Sequence, residues 1–283
     1  MNAPVCLCGH TRFDTVFEYV EPPRGEVRFG FSNSGAYRRQ MIRCPHCGHF
    51  LSVHEMDSGQ LYEGAYVDAT YGDTGIRDAF ERITALEPSQ SDNVGRVERV
   101  VAFAREHFGV PRADAVLSIL DVGSGLCVFL HRIRSVTHWS CTALDPDARA
   151  VRHAREHVGV SGICGDFMER TPDTRFDIMT FNKVLEHVAD PVAMLAHALD
   201  FIEPEGFVYV EVPDGEAAVH EGPEREEFFI DHPHVFSAAS VRLLGELAGF
   251  QSQIVERLRE PSSKFTLRAF MTVRAAAVPG VSA

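Results

Sequence analysis

From residue 116 onward, short apolar runs alternate with segments whose apolar residues recur three and four apart. VLSILDV, CTALD, SGICGD, FDIMTFN and GFVYVEVPD read as strands, and CVFLHRIR, DARAVRHAREH, VAMLAHALDFI and SAASVRLLGELAGF as helices. Strands separated by helices of about 10 to 15 residues must cross over rather than form hairpins. The expected fold is therefore α/β, a doubly wound, mostly parallel, Rossmann-like sheet of seven strands. QIVERLRE and KFTLRAFMTVR close it as an antiparallel pair. Upstream, DAFERITAL and DNVGRVERVVAFAREHF have helical spacing, with Val94, Val97, Val101 and Phe108 on one face and Asp92 as the expected N-cap.

LDVGSGLCVFL marks the first strand-to-helix turn. Glycines there let the backbone approach a ligand beyond the strand ends. Gly123, Ser124 and Gly125 form the turn, but Val128 stands where a dinucleotide fingerprint places its third glycine. Asp121, two residues before the first glycine, repels a pyrophosphate and suits a ligand with an ammonium group. S-adenosylmethionine carries an ammonium and a sulfonium. Asp145 and Pro146 end the next strand, placed for ribose hydroxyls. Asp166 follows the third strand, placed for the adenine amino group, with Phe167 for the adenine ring. Asn182 ends the fourth strand, and Glu186 and His187 follow it at the expected methyl-transfer mouth.

Four of the seven cysteines lie in the first 50 residues, as Cys6-Leu-Cys8-Gly and Cys44-Pro-His-Cys47-Gly. Glycine after the second cysteine of each relieves a tight turn. Four thiolates complete a closed, tetrahedral structural zinc site, with His10, His46 or His49 able to replace one of them. Cys127, Cys141 and Cys164 sit among apolar residues and read as packing thiols. The expected organisation is a zinc-ribbon module over 1–58, a tyrosine-rich lid and helical connector over 59–112, a cofactor-binding domain over 113–275, and a disordered tail over 276–283. Tyr62, Tyr66 and Tyr71 are the candidate lid residues, and Arg77, Arg82 and Arg96 candidate partners for an acidic group of the acceptor.

Together, D-x-G-x-G, Asp145, Asp166 and the Asn182–His187 stretch resemble the class I S-adenosylmethionine-dependent methyltransferases over residues 116 to 275. Cys127 stands where that family has its third glycine. The cysteine knuckles ahead of such a domain resemble the zinc-containing C-methyltransferases of deoxysugar biosynthesis, which act on nucleotide-linked keto sugars. FFIDHPHVFSAAS is similar to their aromatic-His-Glu-His stretch. Phe229 takes the aromatic position, Ile230 the first His, Asp231 the Glu and His232 the second His. The resemblance implies that His232 is the general base. His234 and His187 are further candidates, since an alcohol or carbon acid must lose a proton before methylation.

The net charge of -13 and the lack of a Lys/Arg cluster weigh against nucleic acid as partner. No apolar run reaches the roughly 20 residues of a membrane span, and the N-terminus lacks a secretory pattern, so a cytoplasmic enzyme is expected. The leading expectation is methyl transfer to a small-molecule acceptor, on carbon or on oxygen. An RNA methyltransferase and a non-catalytic S-adenosylmethionine-binding protein are the alternatives.

Overall fold

In chain order the elements are β1 (Asp14–Tyr19), β2 (Arg39–Arg43), β3 (Phe50–His54), α1 (Ala65–Thr84), α2 (Asp92–Phe108), α3 (Val110–Ala113), β4 (Ser118–Val122), α4 (Val128–Val136), β5 (Ser140–Asp145), α5 (Ala148–His153), β6 (Ser161–Cys164), β7 (Phe176–Asn182), α6 (Pro191–His197), β8 (Ile202–Pro213), α7 (Gly215–Ala218), β9 (His234–Val235), α8 (Ala238–Leu247), β10 (Phe250–Arg259) and β11 (Phe265–Val273). They come from a computed structural model that describes residues 4–26, 37–56 and 65–274, with the backbone alone for 65–74. Tyr62, the side chains of Tyr66 and Tyr71, and the 276–283 tail lie outside the described residues.

The large sheet has the order β10-β11-β8-β7-β4-β5-β6. Strands β8 to β6 pair in parallel, and β10 and β11 add antiparallel, as expected. Alternate residues of a strand point to opposite faces. On one face Leu120, Phe181, Val208 and Val210 pack with Val241 and Leu244 of α8. On the other, Ile119, Ile178, Phe207 and Tyr209 pack with Val97 and Val100 of α2 and Leu130 of α4. Burial on both faces is why these strands read as nearly continuous apolar runs.

Helix α2 starts one residue earlier than expected. Ser91, not Asp92, is the N-cap, accepting from the Val94 amide at 3.4 Å. Asp92 is the first helical residue, and its carboxylate accepts from the Ser262 amide and hydroxyl instead. Arg96 on the same helix forks onto Glu211 of β8, with Nε at 2.8 Å. Arg268 of β11 also donates to Glu211, at 3.2 Å, and these cations hold its carboxyl far below the ordinary range despite complete burial. A buried ion pair of this kind fixes helix to sheet, and it occupies the arginine that could have served an acceptor. Arg77 pairs with Glu81 on the exposed face of α1.

A second, antiparallel sheet has the order β1-β2-β3-β9. Its last strand does not come from the N-terminal segment. β9 lies between β8 and α8, and pairs Val235 with Phe50 and His234 with Leu51. The core beneath is shared in the same way: Tyr19, Tyr37, Met41 and Phe50 pack against Ala218, Phe228, Ile230 and Val235. The N-terminal segment and the 215–237 excursion thus bury each other's apolar surface. Phe50 is fully buried at the centre, so close to the backbone that a Cβ on Gly215 would lie 2.6 Å from its ring. Among the described residues no helix is long and apolar enough to cross a membrane. Phe50→Ala is expected to cost about 3–5 kcal/mol in urea unfolding, the range for emptying a buried phenylalanine site; a loss under about 1 kcal/mol would mean the two parts are not packed as one.

Candidate active site

The strand β4 delivers Asp121 to the carboxyl edge of the sheet, where the chain turns on Gly123 and Gly125 with φ of 68° and 48°. The turn is fixed by Gly123 and Ser124 amides donating to the Leu144 carbonyl at 2.8 and 3.1 Å. Among the described residues nothing lies within 4 Å of where a Cβ on Gly125 would stand, so this side of the turn is open. At Gly123 a Cβ would lie 2.8 Å from Val184 of the β7 exit. Cys127 stands in a conformation that suits a glycine: φ is 59°, the left-handed region that costs an ordinary residue about 1–2 kcal/mol. Its thiol is fully buried and pushed up by that burial, which makes it a packing residue and a poor nucleophile.

Asp121 is buried and accepts from Thr180 Oγ1 at 2.6 Å and Asn182 Nδ2 at 2.7 Å. Thr180 was not among the expected residues, although it shares a face of β7 with Asn182, two residues on. Burial pushes the Asp121 carboxyl up to about 6, against the pull of those two donors. Asp145 accepts from the Gly125 amide at 2.8 Å and the Asp147 amide at 2.9 Å, which ties the glycine turn to the end of β5. Pro146 beside it is exposed. Asp166 is exposed and accepts from the Met168 amide at 2.9 Å.

Phe167 differs from expectation. Its ring is 2% exposed and enclosed by Phe181, His197 and Phe201, so it is core rather than a wall for adenine. Its neighbour Met168 is 41% exposed and offers the apolar surface there. Asn182 Oδ1 and Ser124 Oγ are buried without a hydrogen-bond partner among the described residues. Orphaned polar atoms beside an open glycine turn and a buried carboxylate are what a bound polar ligand completes. The residues present therefore fit S-adenosylmethionine.

Five residues past Asn182 (182 to 187) lies His187. Lys183 makes the turn with φ of 59° and donates from Nζ to Thr266 Oγ1 at 3.1 Å. His187 Nδ1 donates to the Asp231 carbonyl at 2.8 Å, and its ring meets that of His232 edge-on, with centroids 4.7 Å apart. His232 Nδ1 donates to the Glu227 carbonyl at 2.9 Å. Burial pushes His187 below the ordinary imidazole range. The structure thus brings His187 and His232 together. It separates His234, whose Nδ1 lies 3.0 Å from His49 Nε2 and whose Nε2 lies 3.3 Å from the Ala189 carbonyl. With both ring nitrogens engaged, His234 braces the loop.

That loop is held from behind by the N-terminal segment. Arg39 donates to the Phe228 carbonyl at 2.7 Å, and Glu26 accepts from the Ile230 amide at 2.8 Å. Ser52 donates its amide to the Pro233 carbonyl at 3.0 Å, and Ser237 its hydroxyl to the Cys47 carbonyl at 2.5 Å. Sequence reasoning missed Glu26, Arg39 and the pairing role of His49, because their partners lie about 200 positions away. Cys6, Cys8, Cys44 and Cys47 converge with all four sulfurs within 4.8 Å of one another, and Cys6 and Cys47 Sγ at 3.3 Å. Among the described residues no histidine joins this group, and His49 is instead bonded to Ser240 and His234. Gly48 turns the second knuckle at φ of 73° and donates to the Cys44 carbonyl at 2.9 Å.

A seven-stranded sheet with an acidic, glycine-turned first strand end and two more acidic strand ends defines a class I methyltransferase. Residues 81–254, more than half of the chain, match the family model described as a methyltransferase domain, and the chain belongs to that family. The ubiquinone biosynthesis O-methyltransferase of Paramagnetospirillum magneticum is 28% identical over 153 residues, which cover 47% of this chain and 61% of that one. The enzyme of the same name from Chelativorans is 32% identical over 117 residues, 37% of this chain and 45% of that one. The chain spans about half the length of the curated relatives it matches. The structure of 1,6-didemethyltoxoflavin-N1-methyltransferase from Burkholderia thailandensis, bound to 1,6-didemethyltoxoflavin and S-adenosylhomocysteine, shares the fold. Its TM-score is 0.55 at 17% identity, covering 90% of this chain and 99% of that one.

The raised pKa of Asp121 gives a pH dependence with a definite sign. In the ligand-free fold the carboxyl binds its proton more tightly than in the unfolded chain. That contribution to stability is complete below the ordinary aspartate range and is lost as pH rises through about 6. An ammonium ligand needs the ionised form, so affinity runs the other way. S-adenosylhomocysteine is expected to bind roughly tenfold more weakly at pH 5 than at pH 7, and its binding at pH 5 to release close to one proton that is not released at pH 7. Calorimetry in buffers of different ionisation enthalpy checks this, and Asp121→Asn should remove the dependence.

Proposed function

We propose that this protein transfers the methyl group of S-adenosylmethionine to a small-molecule acceptor, a nucleotide-linked keto sugar, and that His232 takes the acceptor's proton. The observation that carries this reading is the continuity of one short stretch: Asn182 holds Asp121, and His187, five residues on, holds the loop that carries His232. When bound, S-adenosylmethionine supplies an electrophilic methyl group on a positively charged sulfur. Asp121 would hold its ammonium group, Asp145 its ribose hydroxyls and Asp166 its adenine amino group. The acceptor would enter over His187 and His232, with Phe228 and Ile230 of the buried core behind the loop keeping water from that side.

Two features support a proton acceptor at His232. Its Nδ1 is committed to a carbonyl oxygen, so its lone pair lies on Nε2. It is also partly buried beside a second imidazole, in a region where a base can work without bulk water. The choice of a keto sugar rests on the aromatic-x-Asp-His stretch and the cysteine knuckles. Cys6, Cys8, Cys44 and Cys47 would hold a structural zinc ion; four sulfurs drawn this close suit tetrahedral ligation at about 2.3 Å. In this reading residues 1–58 are the zinc module, 59–112 the connector and 113–275 the methyltransferase domain. Methylation on oxygen is the second reading, favoured by the name that the curated relatives carry.

Calorimetric titration with S-adenosylhomocysteine and then with a panel of nucleotide-linked sugars tests the reading. Micromolar cofactor binding and one bound nucleotide sugar are expected, with turnover lost by about a hundredfold or more in His232→Ala while both ligands still bind. Cofactor binding with no nucleotide sugar bound would move the acceptor to another class, and unchanged turnover in His232→Ala would remove the base.

A further inference from the structure

Glu186 lies between the cofactor cradle and the histidine pair, and the proposed reaction gives it no task. It is 0% exposed, and among the described residues neither carboxylate oxygen has a hydrogen-bond partner. Keeping a buried carboxylate without a donor is costly, and a cation formed beside it offsets that cost. A Glu186 carboxylate oxygen and one ring nitrogen each of His187 and His232 lie within 4.8 Å of one another.

The hydrogen bonds fix the tautomers. A carbonyl oxygen only accepts, so the contacts of His187 Nδ1 with the Asp231 carbonyl and of His232 Nδ1 with the Glu227 carbonyl place a hydrogen on each Nδ1. A proton taken by His232 therefore arrives at Nε2 and makes a cation in a partly buried pocket. Several charged groups face it. Asp231 Oδ2 is 3.9 Å from His232 Nε2 and 3.8 Å from His187 Nδ1. Lys183 interacts with Glu186 from the β7 exit, and Glu26, paired with Arg39, interacts with Asp231 from the N-terminal segment. Lys183 and Glu26 have their own partners in Thr266 and in Tyr37, Arg39 and Ile230. Glu186, fully buried, has no hydrogen bond to either oxygen among the described residues.

We propose that Glu186 is a positioning residue for the proton transfer: its carboxylate offsets the positive charge that His232 gains, through the cluster it forms with His187. The inference rests on His232 as proton acceptor. In the step, the acceptor's bond to hydrogen breaks and the proton goes to His232 Nε2. The electron pair left on the acceptor forms the bond to the methyl carbon of S-adenosylmethionine, and the pair of the broken carbon–sulfur bond stays on sulfur. Glu186 and His187 exchange no atoms; they set how readily His232 holds the proton.

The test is the titration of His232 by imidazole 15N NMR with S-adenosylhomocysteine bound, the signal being assigned by its absence in His232→Ala. Glu186→Gln keeps the shape and removes the charge. The proposal expects the His232 midpoint to fall by about one pH unit, with the midpoint of the remote His107 and the affinity for S-adenosylhomocysteine unchanged. An unmoved His232 midpoint overturns it. So does stoichiometric broadening of both histidine signals by Mn2+ that disappears in Glu186→Gln, since the cluster would then be a cation site. If Glu186→Gln fails to fold, 13C NMR of the Glu186 carboxyl in the unaltered protein decides. The carboxyl must stay ionised while His232 titrates, and a neutral carboxyl there overturns the proposal. These readings need no acceptor, so their failure is distinct from failure of the proposed function, which turnover in His232→Ala decides.

Discussion

The pairing of β3 with β9 joins two regions that the sequence holds about 180 residues apart, with Phe50 opposite Val235 and Leu51 opposite His234. A two-residue strand has little stability by itself. It persists because Phe50, Phe228, Ile230 and Val235 leave water together, and because Arg39 and Glu26 satisfy the backbone groups of Phe228 and Ile230 from inside that core. The loop carrying His232 therefore takes its shape from the N-terminal segment, and its position over the sheet from His187. Ser237, which caps α8, also donates to the Cys47 carbonyl, so the cysteine knuckle and the start of that helix are one hydrogen-bonded corner.

The other half of the site depends on the ends of parallel strands. β4, β5 and β7 finish at the same edge, so Asp121, Asp145 and Asn182 come together although they are spread over 60 residues. The glycine turn is locked to β5 through Asp145 and the Leu144 carbonyl, and to β7 through Asn182 and the packing of Val184 on Gly123. Each acidic group thus has a local bonding role that positions it before any ligand arrives, which is how a preorganised site lowers the cost of binding.

Much of this was legible in the sequence because it is periodic or local. The strand–helix alternation gives the seven-stranded sheet, and the glycine spacing gives the turn. The cysteine knuckles are short enough that their turns bring paired sulfurs together, and all four sulfurs meet. Residues decided by distant partners were not legible. Nothing in HPHV announces a strand, because β9 exists only against β3. Phe167 reads as a free aromatic next to Asp166 but is drawn into the core by Phe181 and Phe201. Arg96 reads as an available cation, and β8 supplies Glu211 to neutralise it. His234 and His232 are two residues apart in sequence, and the strand register turns one toward His49 and leaves the other beside His187.

The central claim is that the cysteine-bearing segment shapes the loop that carries His232. Amide hydrogen exchange in Cys44→Ser, compared with the unaltered protein, tests it most directly. Loss of the knuckle should strip protection from the amides of Ile230, His234 and Val235, while Leu120 and Val122 in β4 keep theirs. Equal protection of the 228–237 amides in both proteins would contradict the account, since the loop would then hold its shape without the segment proposed to impose it.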